Sequence, residues 1–177
     1  MSRNKSSPSS DPSEQSSPAG EIIDMETFRQ ILDLDEDETH EFSAGMVWAY
    51  FSQARNTFEN MDRALYATSY CISTVRTAHI CLYAHSRAAR DLSQLSELGH
   101  FLKGSSAALG VSKVQASCER MQHYGQRRDD QAGSDLAEDD ALDRIRKLLS
   151  QVKTEYADAE TWLKDWYREH NATPEDE

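Results

Sequence analysis

The sequence is poor in the residues that interrupt helices. It contains seven glycines and four prolines among 177 residues, and no proline lies between residues 21 and 173. Glycine and proline punctuate the turns of a chain that folds into many short strands. Their scarcity argues against a β-rich fold, and the sequence therefore predicts an all-α protein.

Paired cysteines, positive charge and long apolar runs are lacking as well. Three cysteines occur without a Cys-x-x-Cys pair, which is typical of a reducing compartment such as the cytosol or nucleus. The net charge of −12 argues against nucleic-acid binding and against an anionic membrane surface. No apolar run approaches the roughly 20 residues of a membrane helix, and the N-terminus lacks the apolar core of a signal peptide. We therefore expect a cytoplasmic and nuclear protein that binds neither nucleic acid nor membrane.

Composition separates an N-terminal tail from a helical domain. Residues 1–20 are rich in Ser and Pro and nearly free of apolar side chains, so we expect them to be disordered. Residues 21–170 show helical periodicity, with Ser112 and Gln115 at the spacing of a capping box and Gly125 placed to close a helix. Helices are expected over residues 21–34, 40–65, 90–110 and 111–125, followed by a long final helix.

The final helix carries the clearest apolar stripe. Its members recur at steps of three and four residues, and they are Leu142, Ile145, Leu149, Val152, Tyr156, Ala159, Leu163 and Trp166. Such an unbroken stripe is typical of the buried seam of an antiparallel helix bundle. We interpret the leucine and aromatic stripes of all the helices as core.

The stretch GHFLKGSSAALG, residues 99–110, places a histidine and three glycines within a predicted helix. Successive helical residues are rotated by about 100°, so His100 lies about 160° from Leu102. Leu95 and Leu98 lie on the same side of the helix as Leu102. His100 is therefore expected to face solvent, opposite the buried stripe.

Small residues and a lysine surround His100 on this outward face. Gly104 and Ala107 lie within about 40° of it, and Lys103 lies about 60° away. Glycine costs about 1 kcal/mol relative to alanine in a helix interior, so a glycine away from the core suggests a cleared approach to the imidazole. Lys103 supplies positive charge for an anion on the ring. A lone exposed histidine is usually only solvated, and it is the combination that favours a functional site.

The motifs do not support metal or nucleotide chemistry. Glu97 and His100 have the Glu-x-x-His spacing of bundle metal centres, yet both are predicted to face outward and only one such pair occurs. The acidic run DLDEDETHE lacks the glycine and spacing of a calcium loop, and no glycine-rich nucleotide loop is visible. We expect no metal, no cofactor and no ATP site.

The sequence around His100, LGHFLKGSSAALG, resembles the phosphorylation motif of histidine-containing phosphotransfer (HPt) proteins of the fungal osmosensing phosphorelay. EII at 21–23, FSQARNTFENMDRAL at 51–65 and CERMQHYG at 118–125 resemble that family as well. The resemblance implies an antiparallel four-helix bundle with an additional N-terminal helix packed across it. We expect such a bundle to be a monomer.

The resemblance also implies a function and a set of site residues. His100 would accept a phosphoryl group from the receiver-domain aspartate of a hybrid sensor histidine kinase and pass it to receiver aspartates of response regulators. Lys103 matches the family lysine that stabilises the phosphoryl charge, and Ser105 and Gln122 match positions whose polar side chains lie close to the histidine. The receiver-docking residues that the resemblance implies are Gly104, Phe101, Ala107, Ile31 and Leu34.

Residues 66–88, YATSYCISTVRTAHICLYAHSRA, do not fit the family pattern, in which a short connection joins these two helices. We interpret the segment as a translated intron or, if it is part of the protein, as a surface insertion. Its two cysteines and two histidines form only a weak zinc candidate, because the usual close cysteine pair is missing. These four residues are Cys71, His79, Cys81 and His85.

A helical-bundle adaptor is the alternative function. Such a protein would bind receiver-like partners without being phosphorylated. A degenerate relay protein of this kind would be expected to lose His100 or Lys103, and both are present. The sequence therefore favours the phosphorelay intermediate.

Overall fold

The structure is a computed structural model that describes residues 22–73, 78–129, 133–170 and 172, with the side chains of 66–90 left out of the description. The described residues are predominantly helical, as the sequence predicts. The helices are α1 Met25–Leu32, α2 Glu41–Ser73, α3 Ala78–Ala108, α4 Ser112–Gly125 and α5 Glu138–Glu169. Two short strands between α4 and α5, β1 Arg128–Asp129 and β2 Ser134–Asp135, pair in antiparallel register.

The bundle core is formed by the inward stripes of α2 to α5. In α5 the predicted stripe is buried from Leu142 to Leu163. At the end of the helix the prediction is wrong by one residue, because Tyr167 is fully buried while Trp166 is only half-buried. Phe28 of α1 packs edge-on against Trp162, Trp166 and Tyr167 at this end of α5.

Helix α1 packs across the bundle between the α3–α4 turn and α5. Its N-cap Asp24 accepts hydrogen bonds from the backbone N–H groups of Glu26 and Thr27. The Asp24 N–H donates to the Gly110 carbonyl over 2.7 Å. Gly110 has φ +72°, and a Cβ there would lie 2.7 Å from the Asp24 carbonyl oxygen. Glycine is therefore required at this turn, both for the left-handed backbone and for the close approach of α1.

Two local predictions for α4 are wrong. The N-cap is Val111, without a side-chain cap, and the Ser112 hydroxyl instead donates to the Gly110 carbonyl. Gly125 is the last residue of the helix rather than a left-handed cap, and a Cβ there would lie 2.7 Å from the Leu92 carbonyl oxygen. Its role is to let α4 approach α3, which the local sequence does not distinguish from capping.

Helices α2 and α3 extend beyond the predicted ends at residues 65 and 90. Helical backbone continues to Ser73 in α2 and begins again at Ala78 in α3, so most of the 66–88 segment is helical. The side chains of the weak zinc candidate and the 1–20 tail lie outside the described residues. Among the helices that the structure does describe, none combines the length and the apolar character needed to cross a membrane.

Candidate functional site

His100 lies on the exposed face of α3, as helical periodicity predicts. Leu95 and Leu102 on the opposite face are fully buried, and Leu98 is half-buried. The core stripe therefore anchors the helix and leaves the imidazole facing solvent. An incoming group can reach the ring without any displacement of the core.

One imidazole nitrogen is engaged by α4. The Nδ1 atom of His100 lies 3.3 Å from the side-chain Oε1 of Gln122. An amide oxygen only accepts hydrogen bonds, so this contact is a hydrogen bond in the tautomer that carries the proton on Nδ1. The lone pair is then on Nε2, on the far side of the ring. Gln122 thus favours the tautomer in which the Nε2 lone pair is free.

Gly99 brings Gln122 within reach of His100. A Cβ at residue 99 would lie 3.1 Å from the Cys118 carbonyl oxygen and 3.2 Å from the Gln122 backbone nitrogen. A larger residue would push α4 away from α3 at the level of the histidine. Gly104 is the glycine of the motif that periodicity singles out; the role of Gly99 could not be predicted in this way, because its partner lies on another helix.

Lys103, the predicted charge-compensating residue, is itself part of an ion pair. Lys103 Nζ lies 3.6 Å from the Glu119 carboxylate oxygen, with side-chain exposures of 25% and 53%. Lys103 is one turn after His100 on α3, and Glu119 is one turn before Gln122 on the antiparallel α4. The two contacts lie one helical turn apart and join the same pair of helices. Glu119 is not among the predicted site residues, although its three-residue spacing from Gln122 mirrors that of Lys103 from His100.

The face beside His100 is open where the sequence predicts clearance. A Cβ added at Gly104 meets nothing within 4 Å. Ala107 is half-buried, and Phe101 exposes 53% of its surface. The helix therefore presents a flat strip with one aromatic side chain at its edge.

Of the residues assigned through the resemblance, Ile31 lies differently from expectation, while the Ser105 hydroxyl is bonded within its own helix. The Ser105 hydroxyl donates to the Phe101 carbonyl one turn earlier and is not hydrogen-bonded to His100. Ile31 is 5% exposed and belongs to the core, because α1 turns this side chain toward the bundle. It is therefore removed from the docking residues, whereas Leu34 is 58% exposed and Phe42 is 55% exposed.

A second nucleophile beneath the site is inactive. Cys118 is fully buried on α4, and burial, with a smaller contribution from the charge of Glu155, raises the pKa of its thiol to about 12. The thiolate is the reactive form of cysteine, so Cys118 behaves as a core residue. Within the described part of the chain, His, Cys, Asp and Glu side chains form no cluster suited to a metal ion.

Known sequences match most of this chain. The Hpt domain family matches residues 45–155. Multistep phosphorelay regulator 1 of Schizosaccharomyces pombe is 40% identical over 154 residues, which cover 86% of this chain and 45% of that protein. Phosphorelay intermediate protein YPD1 of Saccharomyces cerevisiae is 34% identical over 107 residues, which cover 60% of this chain and 51% of that protein. The chain thus spans about half the length of the curated relatives it matches.

Solved structures share the helical bundle. The triclinic crystal structure of Ypd1p has a TM-score of 0.65 at 26% identity, covering 86% of this chain and 98% of that one. The co-crystal structure of S. cerevisiae Ypd1, a histidine phosphotransfer signaling protein, contains the receiver domain of its downstream response regulator Ssk1. It has a TM-score of 0.61 at 28% identity, covering 84% of this chain and 95% of that Ypd1 chain.

Proposed function

Because the chain belongs to the Hpt domain family, we propose that it is a phosphorelay intermediate. His100 accepts a phosphoryl group from the aspartyl phosphate of a receiver domain in a hybrid sensor histidine kinase. It then passes the group to receiver aspartates of response regulators. The observation that carries this proposal is the exposed imidazole of His100, whose Nδ1 is held by Gln122.

The chemistry is a direct displacement at phosphorus. The Nε2 lone pair of His100 attacks the phosphorus atom, the N–P bond forms, and the P–O bond to the receiver aspartate breaks. The aspartate leaves as a carboxylate, and the phosphorylated ring keeps its Nδ1 proton and becomes positively charged. Gln122 Oε1 accepts that proton in a hydrogen bond that strengthens as the ring gains charge. Onward transfer is the same step in reverse, with a second aspartate as nucleophile.

Positioning and charge compensation dominate the catalysis of phosphoryl transfer. Lys103 lies one turn from His100 and supplies the positive charge for the phosphoryl oxygens. Magnesium belongs to the receiver in this proposal, and this chain contributes no metal and no nucleotide site. The docking surface consists of Gly104, Ala107 and Phe101 beside the histidine, extended by Leu34.

The setting of the relay is proposed with it. Transfer to response regulators fits a monomer that acts in the cytoplasm and nucleus in an osmosensing pathway. We also propose that residues 1–20 form a disordered tail and that 66–88 is an insertion in the bundle of 21–170. Sequencing the transcript tests the second point, because a spliced message without the codons of 66–88 would identify a retained intron.

The function is tested by incubating the full chain with a receiver domain phosphorylated on its aspartate. We expect one phosphate per chain that is labile in acid and stable in alkali, which is the behaviour of a phosphoramidate. A chain that binds receivers and takes up no phosphate would support the adaptor function instead.

Replacing Lys103 with Ala is expected to slow transfer by about 10-fold or more while the Kd for the receiver changes little. The lysine interacts with charge that is present in the transition state and absent from the resting chain, so its loss affects the rate more than docking. Rapid-quench transfer rates and receiver titrations measure the two quantities separately. Equal losses in rate and affinity would assign Lys103 to docking.

A further inference from the structure

Lys103 already forms an ion pair in the unphosphorylated chain. Its ammonium lies 3.6 Å from the Glu119 carboxylate. This contact between α3 and α4 lies one helical turn from the contact between His100 and Gln122. Glu119 is half-exposed, and this pairing draws the lysine toward α4 in the unphosphorylated chain. We propose that Glu119 is a positioning residue that competes with the phosphoryl group for Lys103 and thereby favours onward transfer. This inference rests on the proposed phosphorylation of His100.

The pair is weak enough to be exchanged. A partly exposed ion pair contributes little to stability, because water screens both charges. A phosphoryl group on His100 carries about two negative charges at neutral pH, against one on the carboxylate. The lysine therefore moves to the phosphoryl oxygens once the group is in place, and the ion pair with Glu119 is lost.

Loss of the ion pair lowers the stability of the phosphorylated form, compared with a chain in which Lys103 has no carboxylate partner. Glu119 stabilises the free form through Lys103 and is left without its partner in the phosphorylated form, where like charge also repels the phosphoryl group. Both effects make phosphorylation of His100 less favourable. A relay protein must give its phosphoryl group away, so a residue that limits the stability of phosphohistidine favours that second step.

The Glu119→Gln variant removes the charge and keeps the size of the side chain. We expect the equilibrium between phosphorylated receiver and phosphorylated His100 to shift toward His100 by roughly two- to fivefold, which is the range expected for a partly exposed pair. The hydrolytic half-life of the phosphohistidine should lengthen. The melting temperature should change little, since an exposed glutamine is tolerated in a helix.

A double-mutant cycle separates action through Lys103 from a general effect of charge. In the Lys103→Ala background, Glu119→Gln should shift the phosphotransfer equilibrium clearly less than it does with Lys103 present, because only the direct repulsion of the phosphoryl group remains. Asp158→Asn is the matched control, with the same change of net charge at an exposed position of α5. It should leave the equilibrium at the wild-type value.

The outcomes distinguish this inference from the proposed function. A wild-type chain that takes up no phosphate would overturn both. Normal labelling of the wild type with an unchanged equilibrium in Glu119→Gln would overturn the role of Glu119 alone. An equal shift with and without Lys103, or a shift of the same size in Asp158→Asn, would also overturn it, because the charge would then act without the lysine.

Discussion

Replacing His100 with Gln is expected to reduce phosphoryl acceptance to background while the chain remains folded. The imidazole supplies the only lone pair that the proposed transfer uses, and a glutamine amide is not a nucleophile at neutral pH. His100 is exposed on α3, and glutamine has a helix propensity at least as good as that of histidine. The measurement is phosphate incorporation from a phosphorylated receiver, with the melting temperature followed on the same sample.

His170→Gln is the matched control for this experiment. His170 is also exposed, but it follows α5, where its ring stacks on Trp166 with centroids 3.9 Å apart. This variant should incorporate phosphate to the wild-type stoichiometry. If His100→Gln still took up acid-labile phosphate at that stoichiometry, another residue would be the acceptor and the assignment of the site would be wrong.

The exposure of His100 could be predicted from the sequence because it depends on one helix alone. Rotation of about 100° per residue places His100 opposite Leu102, whatever the rest of the bundle does. The open space at Gly104 follows from the same rotation. In a long amphipathic helix anchored by several leucines, the orientation of each residue can therefore be predicted from its position relative to the buried stripe.

Contacts between helices could not be predicted in the same way. The pairs His100–Gln122 and Lys103–Glu119 depend on the register of α3 against α4, which is set by the close approach at Gly99 and Gly125. A glycine at the end of a helix looks the same in the sequence whether it caps the helix or packs against another one. The resemblance to a family supplied Gln122, but neither the resemblance nor periodicity indicated Glu119.

Small errors at the edges of the core have a related cause. Ile31 is predicted in a docking patch and is buried, because it lies one turn after Phe28 on the face of α1 that packs against the bundle. Leu34 follows the end of α1 at Leu32 and is exposed for that reason. Periodicity assigns a face to each residue, but the partner of that face comes from tertiary packing.

Replacing Gly104 with Gln is expected to separate stability from transfer. Nothing lies within 4 Å of a Cβ at this position, so the bundle has room for the side chain. Any residue with better helix propensity than glycine should stabilise the helix by roughly 0.5 kcal/mol or more. The same side chain projects beside His100, where a receiver must bring its aspartyl phosphate into line with Nε2.

Transfer from the receiver should therefore fall by about 100-fold or more, since a misplacement of about 1 Å at the reacting atoms has an effect of that size. A small phosphodonor such as phosphoramidate needs less space and should still label His100 in part. Gly104→Ala should keep most of the transfer, because a methyl group extends little beyond the helix surface.

Gly125→Ala is the matched control, because Gly125 is closely packed whereas Gly104 faces open space. A Cβ at residue 125 would lie 2.7 Å from the Leu92 carbonyl oxygen and 2.7 Å from the Ser96 Cβ, so this variant should lower the melting temperature. If Gly104→Gln also melted lower than the wild type, Gly104 would be a packing residue. If it melted at or above the wild-type temperature and still received phosphate from the receiver at the wild-type rate, the face of His100 would not be the docking face. Only the combination of retained stability, lost receiver transfer and partial small-donor labelling agrees with clearance as the reason for a glycine in the middle of α3.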